Sequence, residues 1–359
     1  MRPLLALLLL APLAALTAAD APKAPVQIVL TAPLPAAELP AVVFDARAYG
    51  AVGDDATDNT AAFSRCLADV VAAGGGRMTI PAGVFRGRII VPPVGRPAPS
   101  WISVEIVGAK EPVPVFGTIG DFPLRNHGTI IKCVAETGPA VISAPRPAAP
   151  LYGGFSAVFV ILRDLEVRTT DNPRIDGVDL RLAMQAKLEN VFINTGVYNV
   201  QASRPTHGTR GLITPACNNA ALTILRQVVV TGYHTGIVIN EHTDADNLVV
   251  GSNLRGLEFA QAHHASRLGR VGAYRNTCHV AVTGACGFSI AQLNTEFPGQ
   301  GQTDERNAWQ TLVCDIEDPR NLASADINFW AVQGGLGAVP TFIVQGGAHI
   351  RARRLGSAK

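Results

Sequence analysis

The sequence predicts an all-β protein built as a parallel β-helix, a solenoid of short strands, with an N-terminal capping helix over its first coil. Three observations favour this fold: an imperfect repeat of strand-like segments, a composition suited to strands and tight turns, and one amphipathic helical segment ahead of the repeats. Hydrophobic residues make up 48% of the 359 residues and charged residues only 16%, and 35 glycines and 25 prolines can supply turns. This composition argues against a disordered chain and against a highly charged helical assembly.

The first 41 residues are predicted to precede the folded domain. Residues 1–19 have the features of a secretory signal peptide, because Arg2 is followed by a leucine-rich run and then by small residues. That run is too short to span a membrane, and Pro12 interrupts it. Residues 20–41, rich in alanine and proline, are expected to form an extended linker, and residues 42–359 the β-helix domain. We therefore expect a secreted protein, periplasmic or extracellular, without a membrane span.

The capping helix is predicted over residues 57–73. Thr57 or Asp58 can cap its N-terminus, and Gly74-Gly75-Gly76 can end it. The first coil of a solenoid exposes unpaired backbone and apolar side chains, so such a cover is needed. The side chains expected on its buried face are Ala61, Phe63, Leu67 and Val70.

The repeat consists of a leucine, two turn-compatible positions and an alternating apolar triplet. Its four copies begin at Leu162, Leu188, Leu225 and Leu254, at uneven intervals. The third position of each copy is Asp164, Asn190, Gln227 or Gly256, and three of these four residue types tolerate the left-handed conformation expected at a sharp bend. A β-sandwich is less favoured, because the Asp-Gly pair of the sequence, Asp176-Gly177, opens one strand and does not join two. Strands over 311–316, 327–332 and 341–344 are expected to complete the solenoid.

A longer motif points to a known superfamily. The segment from Phe44 to Thr60, FDARAYGAVGDDATDNT, is followed by the predicted helix, by Gly74-Gly75-Gly76 and by Ile80-Pro81-Ala82-Gly83. It resembles the N-terminal motif of the pectate-lyase-like superfamily of single-stranded right-handed β-helices, which includes polygalacturonases, polysaccharide lyases, epimerases and phage tailspike depolymerases. The resemblance implies a right-handed parallel β-helix that acts on carbohydrate.

The polygalacturonase branch of this superfamily can be compared residue by residue. Arg174 to Asp179 resembles the Asn-Thr-Asp-Gly-Ile-Asp stretch of that branch, so Asp176 matches one catalytic aspartate. Where the branch has Gly-Asp-Asp this chain has Gly196-Val197-Tyr198, and where it has Gly-His-Gly this chain has Gly232-Tyr233-His234. Two of the three acids are therefore absent, which argues against hydrolysis of the polygalacturonase type.

The residues that follow the apolar triplets give a different candidate site. If each coil places them on one face, Tyr198, Tyr233, His234, His263 and His264 stack in a row at about 4.8 Å intervals. Tyrosine and histidine can remove a proton beside a uronate carboxylate and protonate a leaving oxygen, which is the chemistry of a lyase. Arg210 and Arg267 could bind the substrate carboxylate, and Asp176 could orient a partner. The alternative is that these are ordinary polar residues of surface turns.

Two further groups of side chains are candidates for a metal site and a disulfide. Glu241, Asp244 and Asp246 concentrate oxygen ligands in one loop, so a weak calcium site is predicted there, with a solvated acidic turn as the alternative. No cofactor is otherwise required by the sequence. Export permits disulfides, and among the six cysteines a bridge between Cys278 and Cys286 is predicted, with buried free thiols as the alternative.

The function predicted from the sequence is the binding of an extended, acidic polysaccharide, most plausibly with cleavage by β-elimination. The alternatives are a non-catalytic glycan-binding or wall-associated solenoid and a glycoside hydrolase whose carboxylate pair is not located. The 30 Lys and Arg nearly balance the 28 Asp and Glu, so no basic field favours nucleic acid as a partner. A homo-oligomer is compatible with the sequence but is not required by it.

Overall fold

A computed structural model of the chain describes residues 42–95, 101–109, 128–133, 138–148, 155–170, 174–196, 209–217, 222–260, 265–284, 286–296, 310–314, 323–332, 342–344 and 348–358. The predicted signal peptide and linker lie outside these residues. No helix within the described ranges is both long and apolar enough to cross a membrane.

The described strands form two sheets, numbered here in chain order. Sheet A has 14 strands, with the order β1-β3-β6-β9-β11-β13-β15-β17-β19-β21-β23 and a short branch of β2, β4 and β7 that joins at β9. Its strands are β1 (Val43–Asp45), β2 (Asp54–Asp58), β3 (Gly76–Thr79), β4 (Gly83–Arg86), β6 (Ile102–Val107), β7 (Thr129–Lys132), β9 (Ser156–Arg168), β11 (Ala183–Asn194), β13 (Thr223–Thr231), β15 (Thr243–Gly251), β17 (Ala265–Tyr274), β19 (Cys286–Glu296), β21 (Ala323–Val332) and β23 (Ala348–Ala358).

Sheet B has nine shorter strands in the order β22-β20-β18-β16-β14-β12-β10-β8-β5. They are β5 (Ile89–Ile90), β8 (Ile142–Ser143), β10 (Val178–Asp179), β12 (Arg210–Ile213), β14 (Thr235–Ile239), β16 (Arg255–Phe259), β18 (Cys278–Val282), β20 (Gln310–Cys314) and β22 (Phe342–Val344).

Every strand pairing among the described residues is parallel, which confirms the predicted β-helix. From β9 onward the chain alternates between a long strand of sheet A and a short strand of sheet B, and each coil stacks on the coil before it. We call the two links of a coil the A-to-B connection and the B-to-A connection. The coils wind in a right-handed sense, as crossovers between parallel strands almost always do.

The long strands of sheet A bend at one residue with a left-handed backbone. Asp164, Asn190, Gln227 and Asn247 have φ values of 54°, 55°, 54° and 54°. The side-chain amide of Asn190 donates a hydrogen bond of 2.7 Å to Asp164 Oδ1, which ties two successive bends together. The predicted bends at the first three positions are confirmed. The fourth is wrong, because Gly256 lies on β16 of sheet B and Asn247 makes the bend of that coil.

The predicted capping helix is present as α1 (Thr60–Ala72). Asp58 Oδ1 accepts a hydrogen bond of 2.9 Å from the backbone N–H of Thr60, and left-handed Gly74 follows the helix end. Its buried residues join the same apolar core as the strands and are Ala62, Phe63, Cys66, Leu67 and Val70. Ala61 is exposed, so that part of the predicted buried face is wrong by one position.

The predicted bridge between Cys278 and Cys286 is not formed. Both residues carry buried thiols, and the S–H of Cys278 donates to the carbonyl oxygen of Val280 at 3.2 Å. The column is therefore stabilised by apolar packing and by backbone pairing, and this pair of cysteines adds no crosslink to it.

Four glycines occupy equivalent positions on successive coils of sheet B. A Cβ atom at Gly177, Gly211, Gly236 or Gly256 would lie 2.6, 2.7, 2.6 or 2.7 Å from a backbone oxygen of the next coil. A side chain at any of these positions would push two coils apart, since backbone cannot move aside as a flexible side chain can.

Replacing Gly211 by alanine is expected to lower the free energy of unfolding by about 1 to 3 kcal/mol. The new methyl group would collide with Cγ1 of Val230 as well as with the oxygen of Gly236. Chemical denaturation of Gly211→Ala, of Val230→Ala and of the double variant would measure this. The double variant should be less destabilised than the sum of the two single changes, because removing Cγ1 gives the methyl group room. Simple additivity would contradict the proposed collision.

Candidate functional site on the outer face of sheet B

Sheet B presents alternate residues to the core and to its outer face. Val178, Leu212, Ile237 and Leu257 occupy equivalent positions on successive strands, and each is fully buried in the core. The residues one position later point to the other side of the sheet and are Asp179, Ile213, Val238 and Glu258. The outer face therefore carries a row of side chains that runs along the axis of the column.

Two ion pairs lie at one end of this row. Arg210 Nη2 is 2.7 Å from Asp176 Oδ2, and the backbone N–H of Arg210 donates to Asp176 Oδ1 at 2.7 Å. Beside them, the guanidinium of Arg181 donates through Nε to Asp179 Oδ1 and through Nη2 to Asp179 Oδ2. The structure thus brings together two residues singled out in the sequence, Asp176 and Arg210, as one fixed pair across neighbouring coils.

A second polar cluster surrounds Glu258, two coils beyond Arg210. Glu258 accepts hydrogen bonds from Arg255 Nη1 at 3.1 Å, from Thr235 Oγ1 at 3.0 Å and from Thr283 Oγ1 at 3.0 Å. These three donors come from three successive coils, so the carboxylate joins strands β14 and β16 to the connection after β18. With about one sixth of its side chain exposed, Glu258 holds Arg255 at the surface of the site.

His234 lies directly before β14, at the edge of the Glu258 cluster. Its Nδ1 is 3.3 Å from Thr235 Oγ1, and its backbone oxygen accepts a hydrogen bond of 2.8 Å from Arg255 N–H. Partial burial lowers the pKa of His234, the positive charge of Arg255 lowers it further, and Glu258 opposes this only in part. The imidazole is therefore favoured in its neutral form, in which one ring nitrogen can accept a proton.

Tyr233, its neighbour, does not lie on this face, and its predicted role as a surface acid or base is wrong. The side chain is fully buried in the core. Its hydroxyl donates to the carbonyl oxygen of Asn194 at 3.0 Å and lies 3.3 Å from Thr169 Oγ1. Burial raises the pKa of Tyr233 far above its ordinary value, because the phenolate would have to be formed away from water.

The predicted row of tyrosines and histidines also has the wrong register. The residue stacked on Tyr233 is Asn253, whose Oδ1 accepts a hydrogen bond of 2.9 Å from the Tyr233 backbone N–H. In chain order His263 and His264 come after β16 of sheet B, whereas His234 comes after β13 of sheet A and before β14. Both of those histidines, and Tyr198, lie outside the described residues.

Arg267 and the predicted calcium ligands belong to other parts of the molecule. Arg267 is exposed on sheet A, where it pairs in register with Asp244, so it does not join Arg210. Asp244 is bound to Arg226 at 3.2 Å, Asp246 accepts the backbone N–H of Arg270 at 3.0 Å, and Glu241 is almost completely buried. Among the described residues no three Asp, Glu, His or Cys side chains form a group that could hold a metal ion, and the predicted calcium site is not formed.

Most residues of this site are not among those predicted from the sequence. Arg255 and Glu258 lie inside the fourth repeat copy, but that copy had been placed on the wrong sheet. Alternation alone could have found Glu258, because it directly follows the inward residue Leu257 in a short strand-like segment, whereas Arg255, two positions before Leu257, carries no such signal. Thr235, Thr283 and Arg181 carry no separate signal, and Asp179 is marked only as the last residue of the stretch that resembles Asn-Thr-Asp-Gly-Ile-Asp.

The arrangement can bind an anion and accept a proton. Arg210 and Arg255 each expose about a third of the side chain, and a guanidinium that already holds one carboxylate has further N–H donors. A neutral imidazole stands between them along the column. Carboxylate recognition and proton removal can thus occur next to each other along this side of the column.

No family model matches the chain, and no curated protein matches its sequence. Solved structures of similar shape were found. The A-module of a mannuronan C-5 epimerase from Azotobacter vinelandii is 13% identical, with a TM-score of 0.41 over 88% of this chain and 99% of that chain. The family 28 exopolygalacturonase of Yersinia enterocolitica is 9% identical, with a TM-score of 0.41 over 88% and 79%. The endo-xylogalacturonan hydrolase of Aspergillus tubingensis is 12% identical, with a TM-score of 0.39 over 89% and 96%.

Proposed function

We propose that this protein binds an extended acidic polysaccharide along the outer face of sheet B and cleaves it by β-elimination. The observation that carries the proposal is the position of a half-buried histidine, His234, with its lowered pKa, on the coil between those of two partly exposed arginines, Arg210 and Arg255. A linear polymer laid along the column axis would contact all three side chains.

The proposed reaction begins at the carbon beside a uronate carboxylate. Arg255 or Arg210 binds that carboxylate and stabilises the negative charge that develops when the proton leaves. Neutral His234 takes the proton from this carbon, and the electron pair forms the new carbon–carbon double bond. The bond to the glycosidic oxygen breaks, and that oxygen receives a proton from the imidazolium or from water. Atoms and charges balance without an oxidant or a further reactant.

Hydrolysis is less well supported by the same geometry. A hydrolase needs two carboxyl groups about 5 to 9.5 Å apart. Asp179 and Glu258 occupy equivalent positions on β10 and β16, three strand steps apart, which corresponds to roughly 14 Å. Asp176 and Asp179, on the same segment, are each held by their own arginine. Among the described residues, this face therefore offers a better arrangement for carboxylate binding with a base than for a pair of acids.

Uronate polysaccharides treated with the purified protein are expected to yield products with an unsaturated end that absorbs ultraviolet light. His234→Ala should lower this rate by about a hundredfold or more, because it removes the base. His242→Ala is the matched control and should leave the rate unchanged, since His242 lies beyond the other end of β14, in the connection to β15.

Two results would contradict the proposal. One is the absence of unsaturated product from every acidic polysaccharide tested, with and without calcium. The other is an undiminished rate in His234→Ala. Retention of a polymer without cleavage would support the non-catalytic glycan-binding alternative instead.

A further inference from the structure

The two arginines of the site are separated by a fixed distance along the column. Arg210 pairs in register with Thr235 on the next coil, and Thr235 pairs with Arg255 on the coil after that. The arginine backbones are therefore two strand steps apart, about 10 Å along the column. Between them lies the short side chain of Thr235, which is buried and carries no charge.

Both guanidinium groups are held in place by a carboxylate. Asp176 binds Arg210 through Nε and Nη2, and Glu258 binds Arg255 through Nη1. Each arginine side chain nevertheless stays about one third exposed, at 33% and 39%. Because each arginine is already held by a carboxylate, it loses less side-chain entropy when a ligand binds. The spacing of the two cations is thus fixed in the unbound protein.

The part of sheet B between the two arginines suits an uncharged sugar. Ile213 and Val238, the outward residues of β12 and β14, are apolar and almost fully buried. Among the described residues, the sheet B side of the middle coil carries no cation other than what His234 can provide, and its lowered pKa favours the neutral ring. A carboxylate placed at this coil would lose hydration without gaining an ion pair.

We infer that the preferred ligand is a glycan in which an acidic sugar alternates with a neutral one. One sugar unit of an extended glycan is about as long as one strand spacing, so Arg210 and Arg255 lie roughly two sugars apart. Two successive acidic sugars of such a polymer face the two arginines, and the neutral sugar between them lies beside His234 on the middle coil. This inference rests on the proposed function, because it assumes that the ligand lies along the outer face of sheet B.

The test measures binding, so that it does not depend on turnover. Titration calorimetry with the His234→Ala protein would compare hyaluronan, in which a uronate alternates with a neutral amino sugar, polygalacturonate, in which every sugar is acidic, and neutral dextran. Hyaluronan is expected to bind at least about tenfold more tightly per site than polygalacturonate, and dextran not at all.

Arg210→Gln and Arg255→Gln should each weaken hyaluronan binding by about tenfold, and the double variant should weaken it further. Arg226→Gln is the matched control, because Arg226 is an equally exposed, aspartate-paired arginine on sheet A, and it should bind as the parent does. Circular dichroism would verify that each variant is folded.

The outcomes separate the two proposals. Equal or tighter binding of polygalacturonate, or loss of binding on only one of the two arginine changes, would overturn the alternating pattern and leave acidic-glycan binding intact. Absence of binding to both acidic polymers would overturn the proposed function together with this inference.

Discussion

Replacing Tyr233 by alanine is expected to lower the free energy of unfolding by about 3 to 5 kcal/mol, the range for removing a large aromatic side chain from a core. The ring is fully buried and packs where Gly177 and Gly211 leave space, and a Cβ at Gly211 would lie 2.9 Å from it. Its loss would leave a cavity spanning several coils and would remove the hydrogen bond to the carbonyl oxygen of Asn194. Chemical denaturation followed by circular dichroism would measure the change.

Tyr233→Phe is the control that separates packing from chemistry. It keeps the ring and removes only the hydroxyl, so we expect a loss of about 1 to 2 kcal/mol in stability and an unchanged rate of cleavage. A folded Tyr233→Phe protein with normal stability and no activity would contradict the structural role and would restore the tyrosine as a proton donor or acceptor. We expect reduced stability and normal activity instead, because the buried hydroxyl cannot contact a polymer at the surface.

The repeat in the sequence was sufficient to predict the architecture but not the register of every coil. Asp164, Asn190 and Gln227 were predicted as bends, because a leucine precedes each by two positions and an apolar triplet follows. In the next coil the inward position before the bend is filled by Ala245, in register with Leu225. Alanine does not match the leucine of the pattern, although it is buried just as well. The next segment that does match, at Leu254, lies on the other sheet.

The burial of Tyr233 could not be predicted for a related reason. Gly232, with φ of 88°, turns the chain so that Tyr233 enters the core while His234 stays at the surface. The space for the ring comes from Gly177 and Gly211, which are distant in sequence and contribute no side chain. Because this space results from glycines on other coils, the sequence around Tyr233 has no periodic pattern that would indicate it. Asp176 and Arg210, by contrast, were found because a family motif and charge complementarity marked them separately.

A buried histidine is expected to make the stability of the column depend on pH. His279 is fully buried on β18, and the side-chain amide of Asn276 lies 3.2 Å from its Nδ1. Burial lowers the pKa of His279 from 6.5 to about 3, because a charged imidazolium would lose its hydration. The folded protein therefore holds this side chain neutral, while the unfolded chain takes up a proton below its own pKa.

The sign of the effect follows from this difference in proton uptake. The contribution of neutral His279 is complete above the unfolded pKa of 6.5 and is lost as the pH falls towards the folded value of about 3. Over this interval each pH unit removes at most about 1.4 kcal/mol, so the free energy of unfolding should fall by roughly 3 kcal/mol between about pH 7 and pH 4 from this group.

His279→Gln tests this expectation, because glutamine can still meet the Asn276 amide but does not titrate. Urea denaturation of both proteins at several pH values would give two stability profiles, and their difference isolates the histidine even if the variant is less stable throughout. We expect the wild-type protein to lose about 3 kcal/mol more than the variant on acidification. Parallel profiles would show that His279 becomes protonated within the folded protein, and thus that the interior beside β18 admits water or rearranges to receive a charge.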